Sequence, residues 1–334
     1  MNIKFEYPFK TKEILEIKDN FSAYSHIKSN LLFSDCNIKE PEISIVIPTY
    51  KNPETIFQAI ESAINQIGAP LYEIVIVNNN PEEGNDFIER LKEFHSNKIN
   101  YYQNTENIGL FGNWNRCIEL ARAEEIVYLH SDDMLCKDTL KKLWELHLKV
   151  EKDAAILGYP HVIDQQGKLI KQYKASSKLW GILKSHPYYK MDRWSLFHAD
   201  MDCGCGEMFN KQVLKQIGGW NPDLYPAGDV GVCLLYQIYS KVYRLNTAIR
   251  VARIGYNTSL TTGKLYPSCS FYIRNRIVEK FFNKNKFLKY LIYLNSISMN
   301  IDWCGVSPKR NLKWYENILC KLENKFYTLH RFYL

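Results

Sequence analysis

Ser131-Asp132-Asp133 follows directly on an apolar run, Ile126-Val127-Tyr128-Leu129, and is the strongest chemical signal in the chain. Two neighbouring carboxylates at the end of a strand repel each other unless positive charge sits beside them. A divalent cation meets that need, and Mg²⁺ or Mn²⁺ keeps waters and phosphate oxygens as its remaining ligands. The plainer reading is that one Asp caps a helix opening near Lys137. His130, just before the pair, is of a type that serves as ligand, base or packed ring, packing being the commonest use.

Other residues of chemical type are scattered more widely. Asn78-Asn79-Asn80 ends a second apolar run; Asn caps turns cheaply, and its amide also reads the edge of a base or ribose. Asp229 follows Ala227-Gly228 and opens a helical pattern, where a lone Asp usually acts as an N-cap. Trp220 follows two glycines and reads first as a packing residue. Gly204 and Gly206 let a backbone approach a ligand or form a tight turn. Cys203 and Cys205 are spaced too tightly for the usual metal-ligand pair.

The elements that must position these residues follow an alternating order. Ile43-Ser44-Ile45-Val46-Ile47 reads as a strand stopped by Pro48, and Ile56, Ala59, Ile60, Ala63, Ile64 and Ile67 recur at helical spacing. Ile74-Val75-Ile76-Val77 is a second strand, 86–94 a helix, and 99–102 a third strand. Residues 114–121 read as a helix and 126–129 as a fourth strand. Apolar strands alternating with helices predict a parallel sheet covered on both faces, with ligands beyond the carboxyl ends of the strands. The segments to search are therefore Pro48-Thr49-Tyr50, Asn78-Asn79-Asn80 and His130-Ser131-Asp132-Asp133. Further helices are expected over 137–150 and 230–239, short strands near 155–157, and a strand edge leading into a helix over 207–217. Residues 10–32 have room for one or two helices. Past Tyr266 the chain reads as helical and basic.

Composition narrows the classes. The 334 residues are 46% hydrophobic, 24% charged and 14% aromatic, which excludes bulk disorder and leaves ample core material. From Ser270 to Leu334 there are 12 Lys/Arg against 4 acids, a net of +8 against +7 for the whole chain, so the positive charge belongs to one end. That asymmetry points to a local anionic partner, nucleic acid or membrane surface. Nine Cys, an odd number, read as reduced thiols. The charged N-terminus has no apolar leader region, and no run of 18 apolar residues occurs. No glycine-rich phosphate loop follows the first strand, which argues against ATPase and dehydrogenase functions.

Taken in order, these motifs resemble the family-2 glycosyltransferases of the bacterial surface-polysaccharide type. The resemblance is carried by 43–50, 73–80, Asn107-Ile108-Gly109, Gly112-Asn113-Trp114-Asn115, 129–133, Gly218-Gly219-Trp220 and Ala227-Gly228-Asp229, and covers about 42–259. It implies an α/β, GT-A-like fold: a mostly parallel central sheet flanked by helices, with a helical C-terminal extension. The implied divisions are an N-terminal extension at 1–41, a nucleotide-sugar-binding subdomain at 42–135, an acceptor-binding subdomain at 136–262, and a basic aromatic helical region at 263–334. It implies an inverting transfer from a nucleotide sugar, UDP-linked, to a glycan or polyprenyl-linked oligosaccharide. Asp133 would hold Mn²⁺ or Mg²⁺. Pro48, Thr49, Tyr50, Asn78, Asn79, Asn113, Ser131 and Asp132 would bind the donor. Gly204, Gly206, Glu207 and Trp220 would border the acceptor, and Asp229 would be the general base. The expected location is the cytoplasm, at the inner face of the membrane, touched peripherally through the basic end, with no nucleic acid bound.

The chain departs from the family pattern at several points. Asn79 stands where an acid is usual, His130 replaces the first carboxylate of the metal motif, Trp114 an Arg, and Gly228 an acid. A histidine common near 253–257 has no clear counterpart. The competing readings are another nucleotide-dependent transferase, such as a nucleotidyltransferase, and a non-catalytic binding or scaffold protein.

Overall fold

The fold is that of a computed structural model, which describes residues 7–9, 15–51, 54–173, 186–191, 205–254, 265–293 and 296. Along the chain these form β1 (Ser29–Ser34), β2 (Ile43–Thr49), α1 (Ile56–Ile64), β3 (Tyr72–Asn78), α2 (Asp86–Lys92), β4 (Ile99–Asn104), α3 (Gly109–Leu120), β5 (Glu125–Tyr128) and β6 (Met134–Leu135). Then come α4 (Thr139–His147), β7 (Ala155–Ile163), β8 (Leu169–Lys171), β9 (Tyr188–Lys190), β10 (Met208–Asn210), α5 (Lys211–Gln216), α6 (Gly228–Tyr239), β11 (Val242–Arg253) and α7 (Tyr266–Phe281).

The strands join in one sheet of order β1-β4-β3-β2-β5-β10-β7-β11-β6. Its nucleus, β4-β3-β2-β5, is parallel throughout. Every residue of β2, β3 and β5 is buried, which explains why these strands read as unbroken apolar runs rather than alternating ones. Side chains still alternate between faces. Ile43, Ile45 and Ile47 enter a core with α1, α2 and α4, whereas Val46 enters a second core with α3, α6 and α7. Beyond β5 the sheet becomes mixed. β10 runs antiparallel to both β5 and β7, β7 and β11 pair in parallel, and β6 returns antiparallel on β11.

Two expected boundaries move. Within 10–32 the described residues form a single 3₁₀ turn, Ser22–Tyr24, and the start of β1, which lies antiparallel on β4. Long-range contacts decide this segment: Arg116 of α3 donates to the carbonyls of Ile27 and Tyr24, each at 2.9 Å, and to Ser29 Oγ at 2.6 Å. α3 itself starts at Gly109, five residues before the expected Trp114, because its buried face includes Asn113, Asn115 and Arg116, which break the apolar period.

Cys233 is disulfide-bonded, which corrects the expectation of uniformly reduced thiols; Cys36, Cys117, Cys136, Cys205 and Cys269 are free. The basic end is not a detached appendage over its described part. Ile273, Ile277, Val278, Leu288 and Ile292 join the core that holds α3 and α6. Among the described residues no helix is long and apolar enough to cross a membrane.

Candidate active site

Strand register assembles the site. β10 opposes β5 with Met208 facing Val127 and Phe209 facing Ile126. Continued by three residues, that register sets Cys205 opposite His130. Gly206 makes the approach: its φ is +70°, its N–H donates to the Tyr128 carbonyl at 2.6 Å, and a Cβ there would lie 3.0 Å from Cβ of Arg250. On the other side β6 opposes β11, with Met134 facing Val251 and Leu135 facing Arg250. The same register brings Arg253 beside Asp132.

The contacts follow from that placement. The Arg253 backbone N–H donates to Asp133 Oδ1 at 2.8 Å, and its Nε donates to the Asp132 carbonyl at 3.1 Å. The rest of its guanidinium reaches Gln58 Oε1 of α1 at 2.6 Å and the carbonyls of Asp164 and Gln165 after β7 at 3.4 and 3.0 Å. Asp133 Oδ2 lies 3.6 Å from His130 Nδ1. Thr55 Oγ1 donates to the Ser131 carbonyl at 3.1 Å, tying the loop to the start of α1. The carboxylate-bearing turn is thus held from α1, from β11 and from the turn after β7.

Electrostatics separate the two acids. Burial pushes the Asp133 carboxyl up, but His130, Arg250 and the Arg253 N–H outweigh it and hold it below its ordinary value. Asp132 is raised, by burial first and then by the neighbouring Asp133 charge. Burial alone would lower His130; the Asp133 carboxylate overrides it and leaves the imidazole raised. The Cys205 thiol is pushed well up by burial.

Beside this turn, at the end of β3, lies an amide network. Asn79 donates to Asn107 Oδ1 at 2.7 Å and to the Gly109 carbonyl at 3.2 Å, and accepts from Asn104 Nδ2 and the Ile108 N–H, both at 3.0 Å. These four bonds use both donors and both lone pairs of its amide. Asn113 donates to the Val77 carbonyl at 2.9 Å and the Thr49 carbonyl at 3.4 Å while accepting from Asn104. Asn78 donates to the Tyr101 hydroxyl at 3.0 Å and accepts from the Asn80 N–H. All three side chains are buried and fix the loops that end β2 and β3 and open α3. Pro48 and Thr49 are also buried, whereas Tyr50 is exposed.

The acceptor-side expectations divide. The Trp220 ring is fully buried: Nε1 donates to the Tyr128 hydroxyl at 2.8 Å, and the ring stacks on Phe111 and meets Trp114 edge-on at 4.4 Å. Trp220, expected to border the acceptor, thus has its indole in the core, where the ring offers no face to a ligand. Glu207 is buried and paired with Arg250 at 3.8 Å, and Arg250 Nη1 donates to the Cys205 carbonyl at 2.6 Å. Gly206 shapes the Cys205 turn, and Gly204 lies outside the described residues. Asp229 sits in the first turn of α6, where the Tyr266 hydroxyl donates to its Oδ2 at 3.0 Å. One aromatic block touches both regions: Trp114 lies 5.0 Å from the His130 ring and 5.9 Å from Phe111, and a Cβ on Gly228 would strike Phe111.

Residues 44–218 match the family described as Glycosyl transferase family 2. The chain belongs to that family. This family-2 chain is 26% identical over 229 residues to the GalNAc(5)-diNAcBac-PP-undecaprenol beta-1,3-glucosyltransferase of Campylobacter jejuni, covering 67% of itself and 68% of that protein. It is also 26% identical over 138 residues, 40% of its length, to the uncharacterised glycosyltransferase MJ1057 of Methanocaldococcus jannaschii, spanning 47% of that relative, about half its length. Its fold is similar to that of S. aureus TarS 1-349 in complex with UDP, with a TM-score of 0.59 at 15% identity over 83% of this chain and 77% of that one.

A family-2 fold implies a divalent ion at the paired acids, and the residues present fit one. Asp133, His130 and Cys205 each offer a ligand atom, all within 4.8 Å of one another, and His130 Nε2 is buried with no hydrogen-bond partner among the described residues. Arg253 and Arg250 were not singled out from the sequence. Their signal, two Arg at alternate-face-breaking positions late in a β-run, becomes visible only once β11 is known to pass the Asp132-Asp133 turn.

Proposed function

We propose that this family-2 glycosyltransferase transfers a sugar, with inversion, from a UDP-linked donor to a hydroxyl of a glycan or lipid-linked oligosaccharide in bacterial surface-polysaccharide synthesis. The observation that carries the reading is the Asp132-Asp133 turn, pinned by Arg253 beyond the carboxyl end of β5, where the sheet changes from parallel to mixed. The Campylobacter relative, whose name specifies an undecaprenol-linked acceptor, supports the acceptor class.

In this reading the donor lies across the ends of β2, β3 and β5. Thr49 and Tyr50 border the base, Asp132 and Ser131 the ribose, and Asp133 holds the metal. Asn78, Asn79 and Asn113 shape the floor under the donor through the hydrogen bonds they make within the protein. A divalent ion, when bound, supplies positive charge to the departing diphosphate. Asp229 accepts the proton of the acceptor hydroxyl as its oxygen attacks the anomeric carbon opposite the leaving group. Tyr266 orients the carboxylate by donating to Oδ2. Proton removal by such a base is typically worth about 10²–10⁴-fold.

The test is incubation of the full chain with UDP-sugars, a divalent salt and a lipid-linked oligosaccharide acceptor, following UDP release and mass gain of the acceptor. Acceptor-dependent UDP release supports the reading. Retention of the donor's anomeric configuration in the product would overturn the inverting mechanism.

A further inference from the structure

Where the family pattern has an acid, this chain has His130, and the register described above sets Cys205 opposite it. The cluster therefore offers one imidazole, one carboxylate and one thiol, with ligand atoms all within 4.8 Å of each other. A site for Mg²⁺ is built from oxygens alone, because that ion is small, hard and reluctant to shed water. Imidazole nitrogen and thiolate sulfur instead suit first-row transition ions, whose affinity for nitrogen and sulfur rises through Mn²⁺, Co²⁺ and Zn²⁺. Two further observations point to a ligand. His130 turns Nδ1 toward the cluster, 3.6 Å from Asp133 Oδ2, and its buried Nε2 has no hydrogen-bond partner among the described residues. Cys205 is also 1% exposed, in a turn that Gly206 makes at φ +70°, a conformation that favours glycine, so the thiol is placed by backbone geometry rather than drifting at a surface.

We propose that His130, Asp133 and Cys205 together form a nitrogen-oxygen-sulfur site that takes a borderline transition ion in preference to Mg²⁺. Cys205 binds as the thiolate, its proton leaving to solvent as the sulfur–metal bond forms. Arg250 does not oppose this as an isolated charge, since Glu207 lies 3.8 Å from its guanidinium. The inference deepens the proposed donor site and rests on that reading for the ion's role, but the ion's identity is measured without any donor.

The experiment is a Co²⁺ titration of the metal-free full chain, read by absorption. Coordination by Cys205 produces a sulfur-to-cobalt charge-transfer band in the near ultraviolet, and the band persists in excess Mg²⁺. Cys205→Ser removes the band and weakens Co²⁺ binding by more than the roughly 10-fold that losing an outer-shell partner typically costs. Cys36→Ser and Cys136→Ser, which change the two partly exposed free thiols among the described residues, leave it intact. His130→Asp shifts preference toward Mg²⁺. Bound Co²⁺ without the band, or Co²⁺ displaced by Mg²⁺ at equal concentration, overturns the proposal. If Cys205→Ser does not fold, a wild-type band that survives in the Cys36, Cys136, Cys203, Cys304 and Cys320 serine variants decides the matter. Mg²⁺-supported sugar transfer with no sulfur band would discard this site while leaving the proposed function standing.

Discussion

Asp133 takes a 2.8 Å hydrogen bond from the backbone of Arg253, a residue 120 positions later in the chain. The pairing makes the end of β11 part of the carboxylate turn, and the buried Arg253 side chain then ties Asp132, Gln58 and the turn after β7 into one unit. Arg253→Lys keeps the charge and the backbone bond but loses the planar fork. It is expected to raise the donor KM about 10-fold with a smaller change in kcat, and to cost about 1–3 kcal/mol of stability. Steady-state kinetics and denaturant melts check both. A fall in kcat at unchanged KM would give Arg253 a role in the chemical step instead.

Asp229 is predicted to act as the base. Asp229→Asn keeps the size and the Tyr266 contact but removes the proton acceptor. Donor affinity, measured by calorimetry, should stay near wild type while kcat falls on the order of 10²-fold or more. Lost donor binding at unchanged kcat would make it a donor contact.

Gly219 lies under a packed joint. Asn115 accepts from the Trp220 N–H at 2.7 Å and donates to the Trp220 carbonyl at 2.8 Å, so its amide pairs with the backbone like a neighbouring strand. Gly219, at φ +71°, leaves room for this: a Cβ would sit 2.5 Å from Asn115 Oδ1 and 2.7 Å from the Phe21 ring. Gly219→Ala is expected to destabilise the fold by about 2–4 kcal/mol, from left-handed backbone strain plus the clash. A thermal midpoint within 1–2 °C of wild type, where about 1 kcal/mol shifts it by roughly 2–4 °C, would refute this.

The parallel nucleus was legible because its strands are buried on both faces and write themselves as apolar runs. The same runs located Asp132, Asp133 and the Asn triplet at strand ends. What escaped was everything that depends on pairing across the chain. Nothing local marks 29–34 as a strand, since β1 is an edge strand with mostly exposed residues held by Arg116 and β4. Cys205 carries no metal reading from the sequence alone because Cys203 is spaced too tightly to pair with it; antiparallel pairing with β5 brings His130 beside it. Trp220 shows the reverse, in that its local reading as a packing group matches the burial of its ring.

Glu125 provides a pH-dependent term in stability. It is 5% exposed on β5, accepts from Asn210 Nδ2 at 3.0 Å, and has no partner at Oε2 among the described residues. Burial first, with Glu124 and Asp153 adding, pushes its carboxyl from 4.5 up to about 7. A raised acid favours the folded state in its protonated form. Its contribution is fully present below the unfolded value and is lost as pH rises through about 7. The stability of wild type relative to Glu125→Gln should therefore fall between pH 4.5 and about 7 and level off above, by on the order of 1–3 kcal/mol. Paired melts across that range check it, and a flat difference would show that Glu125 titrates normally.

The basic end is predicted to touch an anionic membrane through a limited set of side chains. Much of it is committed inward: Ile273, Ile277, Leu288 and Ile292 are core residues, Lys280 donates to the Leu15 carbonyl at 3.0 Å, and Lys289 pairs with Glu279 at 2.6 Å. Among the described residues of this end, Phe287, 61% exposed, faces outward with Phe281, Tyr290, Lys284 and Lys286. Exposed aromatics settle at the headgroup boundary while lysine stems reach anionic lipid, each cation adding about 1 kcal/mol. Truncation is a poor test, because removing α7 strips the core. Lys284→Glu with Lys286→Glu and Phe287→Ser alters only exposed positions and leaves the melt unchanged. Co-sedimentation with anionic vesicles at low salt should fall by at least about 10-fold in that variant, and wild-type binding should weaken as salt screens the charges. Wild-type binding to neither kind of vesicle would leave this surface facing water, and equal binding to neutral and anionic vesicles would overturn the role given to the lysines.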